Sequence, residues 1–104
     1  MVRVGLHVAA EKWLSGYIDS FRDEKGALHP LMEVKRTHGL RVRDNASMIA
    51  SGLGWSGELL ECGLTAALLH DTGRFPQFAR WGTYYDGASQ DHGDLGEKTL
   101  RELF

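Results

Sequence analysis

The segment from Pro30 to Gly52 constrains the fold most, because apolar residues recur in it at every third or fourth position. Pro30 suits the first turn of a helix, and Gly52 and Gly54 suit its C-terminal cap. The spacing predicts one long amphipathic helix whose apolar stripe faces the core. That stripe consists of Leu31, Val34, His38, Val42, Asn45, Ala46, Ile49 and Leu53. In a chain of 104 residues, such a helix predicts one small helical domain.

Three further segments have helical patterns, and no segment has a convincing strand pattern. Residues 8 to 22 carry apolar and aromatic side chains at helical spacing, and Ser56 suits the cap of a central helix over roughly 57 to 71. A short helical turn is expected in "RFPQFARWG", and "TYYDG" allows a short β-bridge. Asp91 suits the cap of a last helix, which carries Leu95, Leu100, Leu103 and Phe104. We therefore predict an all-α fold.

The composition argues against nucleic acid and membranes as partners. The net charge of -2 gives no general attraction to nucleic acid, and no run of apolar residues is long enough to span a membrane. Cys62 is the only cysteine and lies in an apolar run, so we expect a buried thiol in a reducing compartment. The N-terminal segment lacks the pattern of a signal sequence. These features favour a cytoplasmic protein without a membrane anchor.

The stretch "LLHDTGRF" places His70 and Asp71 at the end of an apolar segment. Adjacent residues of a regular helix diverge by about 100°, so these two side chains converge only near a helix end. Thr72 and Gly73 are expected to supply a left-handed stop there. Because an unpaired buried charge is costly, Asp71 needs a compensating partner.

A metal ion is one such partner. An imidazole from His38, together with His70 and Asp71, offers two nitrogens and one oxygen, which suits Zn, Mn or Fe(II) with positions open for water or substrate. Alternatively, His38 is a hydrogen-bonded core histidine, Asp71 pairs with Arg74, and His70 stabilises the negative end of a helix dipole. The dipeptide by itself leaves both interpretations open.

Three motifs occur in order along the chain, "KRTHGLRVRDNA", "LLHDTGRF" and "SQDHGDLGEKTL". Together they resemble the HD superfamily of metal-dependent phosphohydrolases. The first resembles the helix of its first histidine, the second its His-Asp doublet, and the third its Asp-His-x-x-Leu-Gly segment. The motif-bearing region covers residues 31–103. The resemblance implies an HD-domain-like helical bundle that hydrolyses a nucleotide or a related phosphate ester. It also implies a divalent ion (Mn, Mg, Fe, Zn, Ni or Co), which His38, His70 and Asp71 would hold.

The family's last metal-binding aspartate normally lies on a further helix, later than any aspartate of this sequence. Asp86, Asp91 and Asp94 precede its expected position. We therefore expect residues 1–104 to form a single partial HD domain, apparently truncated at the C-terminus. We also expect this chain alone to be weakly active or inactive.

The resemblance suggests catalytic roles for two more residues. Arg74 would hold a substrate phosphate through its planar guanidinium group, and the alternative is a salt bridge to Asp71 or Asp44. His92 would ligate a second metal or protonate a leaving alkoxide, and the alternative is an exposed histidine in the first turn of a helix.

Two other functions fit the same features. One is a degenerate HD domain that serves as a ligand-binding or oligomerising module, and the other is an HD-type di-iron oxygenase. Because helices 2 and 3 are apolar over more surface than the other helices can cover, we further expect a homodimer.

Overall fold

A computed structural model describes residues 5–103, whose regular secondary structure is entirely helical, without a strand. Residues 1–4 and Phe104 lie outside this range. The first four residues begin the segment in which no signal-sequence pattern was found. The all-α prediction is confirmed. Within residues 5–103, no helix combines the length and apolarity that crossing a bilayer requires. The elements are α1 Leu6–Asp19, α2 Pro30–Gly52, α3 Gly57–Leu69, α4 Arg74–Trp81, a 3-10 turn at Asp86–Ala88, and α5 His92–Leu103.

Helix α3 lies between α1 and α2 and is the centre of the bundle, as predicted. Helix α1 contributes a buried face at four-residue spacing, formed by Ala10, Leu14 and Ile18. These side chains pack with Leu28, Met32, Leu68 and Phe75 into a single core cluster. The core therefore lies beside the C-terminal end of α3, where the His-Asp doublet follows.

The predicted orientation of α2 is wrong, although its bounds are correct. Within the predicted stripe, Leu31, Val34, Ile49 and Leu53 are 47%, 60%, 64% and 66% exposed. The buried positions of α2 are instead Met32, Gly39 and Ala50. Two of these are small, and a Cβ atom added to Gly39 would lie 3.7 Å from the Leu68 carbonyl oxygen, so α2 and α3 pack with their backbones close together.

Helix α3 is also less enclosed than its composition predicts. Leu64 and Leu68 are buried, whereas Leu59 is 55% exposed. The thiol of Cys62 is exposed, so the prediction of a core cysteine is wrong. A helix with apolar residues on every face therefore need not have every face covered by other helices. Ser56 is the N-cap residue, but its side chain makes no capping hydrogen bond.

Helix α5 packs against the start of α4, and Gly73 makes this contact possible. Gly73 has φ -65°, so the expected left-handed stop is wrong. A Cβ atom at this position would lie 1.9 Å from the carbonyl oxygen of His92 and 2.5 Å from the nitrogen of Gly96. The side chain of Asp91 accepts a hydrogen bond from the Asp94 N–H at 3.0 Å, which confirms the predicted cap. The backbone contact at Gly73 brings the first turn of α5 beside the His-Asp doublet.

Candidate functional site

Three predicted ligand residues meet where the middle of α2 faces the end of α3. His38 comes from α2, and His70 and Asp71 follow Leu69, the last residue of α3. The Nε2 atoms of His38 and His70 lie 3.5 and 3.3 Å from Oδ2 of Asp71. One potential ligand atom from each of the three residues lies within 4.8 Å of the other two. The adjacent residues of the doublet converge because the regular helix has ended.

The backbone of α3 selects the nitrogen that His70 presents. Nδ1 of His70 lies 2.7 Å from the Ala67 carbonyl oxygen, which only accepts hydrogen bonds, so this nitrogen carries the proton. The other nitrogen, Nε2, then has a lone pair directed toward Asp71. A metal-binding histidine usually has this arrangement, with its second nitrogen donating to a carbonyl or carboxylate group.

Asp71 is the most enclosed member of the group, with a side chain only 11% exposed. On its other oxygen, Oδ1, the Nε2 atom of His92 lies at 3.5 Å and Nε of Arg74 at 3.9 Å. The carboxylate is therefore surrounded by three imidazole rings and one guanidinium group. The structure thus brings all five predicted site residues together.

The chemistry of these donor groups suits a divalent ion. It consists of imidazole nitrogens and one carboxylate oxygen, which are common ligands of Zn, Mn and Fe(II). The side chains of His38 and His70 are 46% and 39% exposed, so solvent and a substrate can reach the group. His38 is therefore not the enclosed core histidine of the alternative interpretation.

Arg74 is largely engaged by protein acceptors. Its Nη1 atom donates to the Tyr84 carbonyl oxygen at 2.7 Å, to Gln77 Oε1 at 3.0 Å and to Asp86 Oδ1 at 3.2 Å. Its Nε atom is buried and has no hydrogen-bond partner among residues 5–103. The nearest carboxylates are thus Asp71 and Asp86, whereas Asp44 is paired with Arg43.

Gln77, which the sequence did not single out, and Asp86, which was weighed there only as the missing metal ligand, support this arrangement. Gln77 is 0% exposed and donates from Nε2 to Asp86 Oδ1 at 2.8 Å and to Ser89 Oγ at 3.0 Å. Oδ2 of Asp86 lies 3.1 Å from Nδ1 of His92. These hydrogen bonds, first that of His92 and then that of Gln77, hold the pKa of Asp86 below its usual value. In the sequence, a glutamine within a short amphipathic segment would have been the only indication of this hydrogen-bond network.

Tyr84 links the loop after α4 to the start of α2. Its hydroxyl donates to the Leu31 carbonyl oxygen at 2.7 Å, and its ring packs on Phe78. Burial raises the pKa of Tyr84 to about 12, so the hydroxyl remains a donor at neutral pH. This contact holds the loop that carries Asp86 against the bundle.

A groove on α2 adjoins the candidate site. It has a volume of about 410 Å³ and is lined by Glu33, Val34, Thr37, His38 and Arg41. Because His38 belongs to both the groove and the ligand group, a molecule in the groove would lie next to Asp71.

Comparison with known families gives one match. The family model described as HD domain matches residues 36–104, which is most of the chain and includes every residue of the candidate site. Comparisons with curated proteins and with solved structures gave no match.

Proposed function

Since the chain belongs to the HD domain family, we propose that it is a metal-dependent phosphohydrolase acting on a nucleotide or a related phosphate ester. The observation that carries this proposal is the convergence of His38, His70 and Asp71 within 4.8 Å. Two imidazoles and a carboxylate at a solvent-accessible helix end suit an ion that must keep positions open for substrate.

The protein residues have distinct roles in this proposal. Nε2 of His38, Nε2 of His70 and the carboxylate of Asp71 hold a divalent ion. When bound, the ion supplies Lewis acidity toward a phosphoryl oxygen and lowers the pKa of water. The Ala67 carbonyl fixes the ring of His70, so its lone pair needs no reorientation when the ion binds.

The remaining residues act on the phosphoryl group. Arg74 contributes a fixed positive charge beside Asp71, and this charge favours the developing negative charge of the transition state. His92 lies on the far side of Asp71, with Nε2 3.5 Å from Oδ1. The lone pair of Nε2 would ligate a second metal, and the protonated ring would donate a proton from Nε2 to a leaving alkoxide. The groove beside His38 supports binding of the organic part of the ester there.

The first test concerns metal binding. We expect the purified chain to bind a divalent ion and the double variant His70→Ala, Asp71→Ala to bind none, because two of the three ligands are lost. Elemental analysis after dialysis against each candidate metal measures the stoichiometry. A matched control is His29→Asn with Asp44→Asn, which removes one imidazole and one carboxylate far from the group. Equal metal content in the two double variants would contradict the assignment.

The second test concerns turnover. We expect phosphate release from a panel of nucleotides to be weak for this chain, to depend on added metal, and to disappear in the His70→Ala, Asp71→Ala variant. Tight nucleotide binding without hydrolysis would instead favour a degenerate HD domain that acts as a binding module. Bound iron with an oxygen-dependent spectrum would favour the di-iron oxygenase.

A further inference from the structure

The loop between α4 and α5 is attached to α4 by a buried amide. Gln77, with no exposed surface, uses Nε2 to donate to Asp86 Oδ1, Ser89 Oγ and the Gln90 carbonyl oxygen at 2.8, 3.0 and 3.2 Å. Its Oε1 atom accepts from Arg74 at 3.0 Å. Because both ends of the amide are satisfied, rotating it would cost hydrogen bonds, and the place of Asp86 is fixed.

The two oxygens of Asp86 share His92 and differ in their other partners. Oδ1 receives the N–H groups of Gln77 and Arg74 at 2.8 and 3.2 Å. Nδ1 of His92 lies 3.1 Å from Oδ2 and 3.3 Å from Oδ1.

Both ring nitrogens of His92 face a carboxylate, and an ionised carboxylate only accepts hydrogen bonds. Nδ1 is the closer of the two, at 3.1 and 3.3 Å from Asp86, whereas Nε2 lies 3.5 Å from Oδ1 of Asp71. In the neutral ring, the shorter contacts favour the proton on Nδ1 and leave the lone pair on Nε2.

We propose that Asp86 is a positioning residue that keeps His92 in its Nδ1–H tautomer, with Nε2 directed at Asp71 and the candidate metal site. This role in the reaction rests on the function proposed above, whereas the control of the tautomer does not. Asp86 acts only through His92. The same arrangement of carboxylate, imidazole and reacting group fixes ring orientation in many metal sites.

The variant Asp86→Asn gives a sharp test because it keeps the shape of the side chain. Gln77 and Arg74 both donate to the Oδ1 position, so the amide oxygen of the introduced asparagine must remain there. Its amide nitrogen then takes the place of Oδ2, which is the nearer of the two atoms to Nδ1 of His92, and donates to that nitrogen. We therefore expect His92 to change to the Nε2–H tautomer, with a proton in place of the lone pair that faced Asp71.

The tautomer is read from the nitrogen shifts of the imidazole rings by NMR, on the metal-free 15N-labelled chain, at a pH where the shifts themselves show that the ring of His92 is neutral. The matched control is Asp91→Asn, which removes a charge one residue from His92 but keeps a good helix cap. The control should retain the wild-type tautomer. An unchanged His92 tautomer in Asp86→Asn would overturn the proposal.

Turnover supplies the second measurement. Asp86→Asn should lower the metal-dependent kcat by about 10- to 100-fold, with KM nearly unchanged. Asp91→Asn should retain the wild-type kcat. A changed tautomer with unchanged kcat would overturn the positioning role. Absence of hydrolysis by the wild-type chain would count against the proposed function only, because the NMR measurement needs neither metal nor substrate.

Discussion

At the scale of single residues, the candidate site follows from where one helix stops. His70 and Asp71 come after the last residue of α3, and the turn there lets neighbouring side chains face the same point. Helix ends and spacing made the convergence of His38, His70 and Asp71 feasible, and the resemblance to the HD superfamily favoured it over the alternative interpretation. Their chemistry was predictable because few residue types serve as metal ligands.

The supporting residues were less predictable. Gln77 and Asp86 act through hydrogen bonds between α4 and the following loop, nine residues apart. Helical periodicity describes which residues share a face, but it contains no information about the path of a loop. From the sequence, Asp86 was judged to come too early to be the family's last metal ligand, and no other role was predicted for it. The structure places it behind His92, 3.1 Å from Nδ1.

The lowered pKa of Asp86 predicts an acid-sensitive contribution to stability. A carboxyl group whose pKa is lower in the folded state stabilises the fold above its unfolded pKa, and this stabilisation is lost as the pH falls through the folded value. We therefore expect the free energy of unfolding to fall below about pH 4, and to fall less in Asp86→Asn.

Urea unfolding from neutral pH down to about pH 3 measures this difference. Asp44→Asn is the control, because this carboxylate is exposed and its partner among the described residues is the neighbouring Arg43. The control should keep the wild-type acid sensitivity. Identical acid sensitivity in wild type and Asp86→Asn would contradict the expectation.

At the scale of helices, the sequence predicts where a helix lies in the chain better than it predicts which face of the helix is buried. The bounds of α2 were predicted from Pro30 and Gly52, but the predicted stripe of large apolar residues is mostly exposed. The helix packs instead through small residues such as Gly39 and Ala50, which allow close approach to α3. Periodicity identifies an apolar stripe, whereas the choice between stripes depends on the shape of the neighbouring helix.

The contact between α4 and α5 gives a prediction at this scale. Gly73→Ala should destabilise the fold by about 3 kcal/mol or more, because its Cβ atom would meet backbone atoms of His92 and Gly96, which cannot rotate away. The variant should also weaken metal-dependent turnover, since α5 carries His92. Thermal and urea unfolding measure the loss.

A second glycine provides the matched control. Gly16 lies within α1, and a Cβ atom there would meet nothing within 4 Å. Gly16→Ala should therefore stabilise the fold by about 0.5–1 kcal/mol through its helix propensity. Similar effects of the two substitutions would show that the close contact at Gly73 is absent in solution.

At the scale of the whole molecule, the candidate ligands join the middle of α2 to the end of α3. An ion that binds only the folded chain stabilises it by about 2.7 kcal/mol at a concentration 100 times its Kd. For a domain of this size we expect Tm to rise by about 10 °C or more. Differential scanning fluorimetry with each metal measures the shift. The His70→Ala, Asp71→Ala variant should show none.

The apolar surface of α2 and α3 supports the expectation of a homodimer. Ile49, Leu53 and Trp55 are 64%, 66% and 40% exposed and line one apolar groove together with Ala46, Ala50 and Gly63. Large exposed apolar patches are unusual on soluble monomers. We therefore expect the 104-residue chain to dimerise at micromolar concentration, and Leu53→Glu to weaken the dimer.

Sedimentation equilibrium decides this point. A single species near 11.6 kDa for the wild-type chain would contradict the expectation. Val34→Glu, another exposed apolar position on α2 but outside that groove, is the control and should leave the dimer intact.

The open side of the candidate site has a consequence for cell physiology. Because the rings of His38 and His70 are 46% and 39% exposed, an ion held there would remain in contact with the surrounding medium. Such an ion would be exchanged readily, and nitrogen and oxygen donors of this kind do not select strongly among divalent metals. The metal found in the protein would then follow the supply of each ion in the cell, and starvation for one metal would change the occupant of the site.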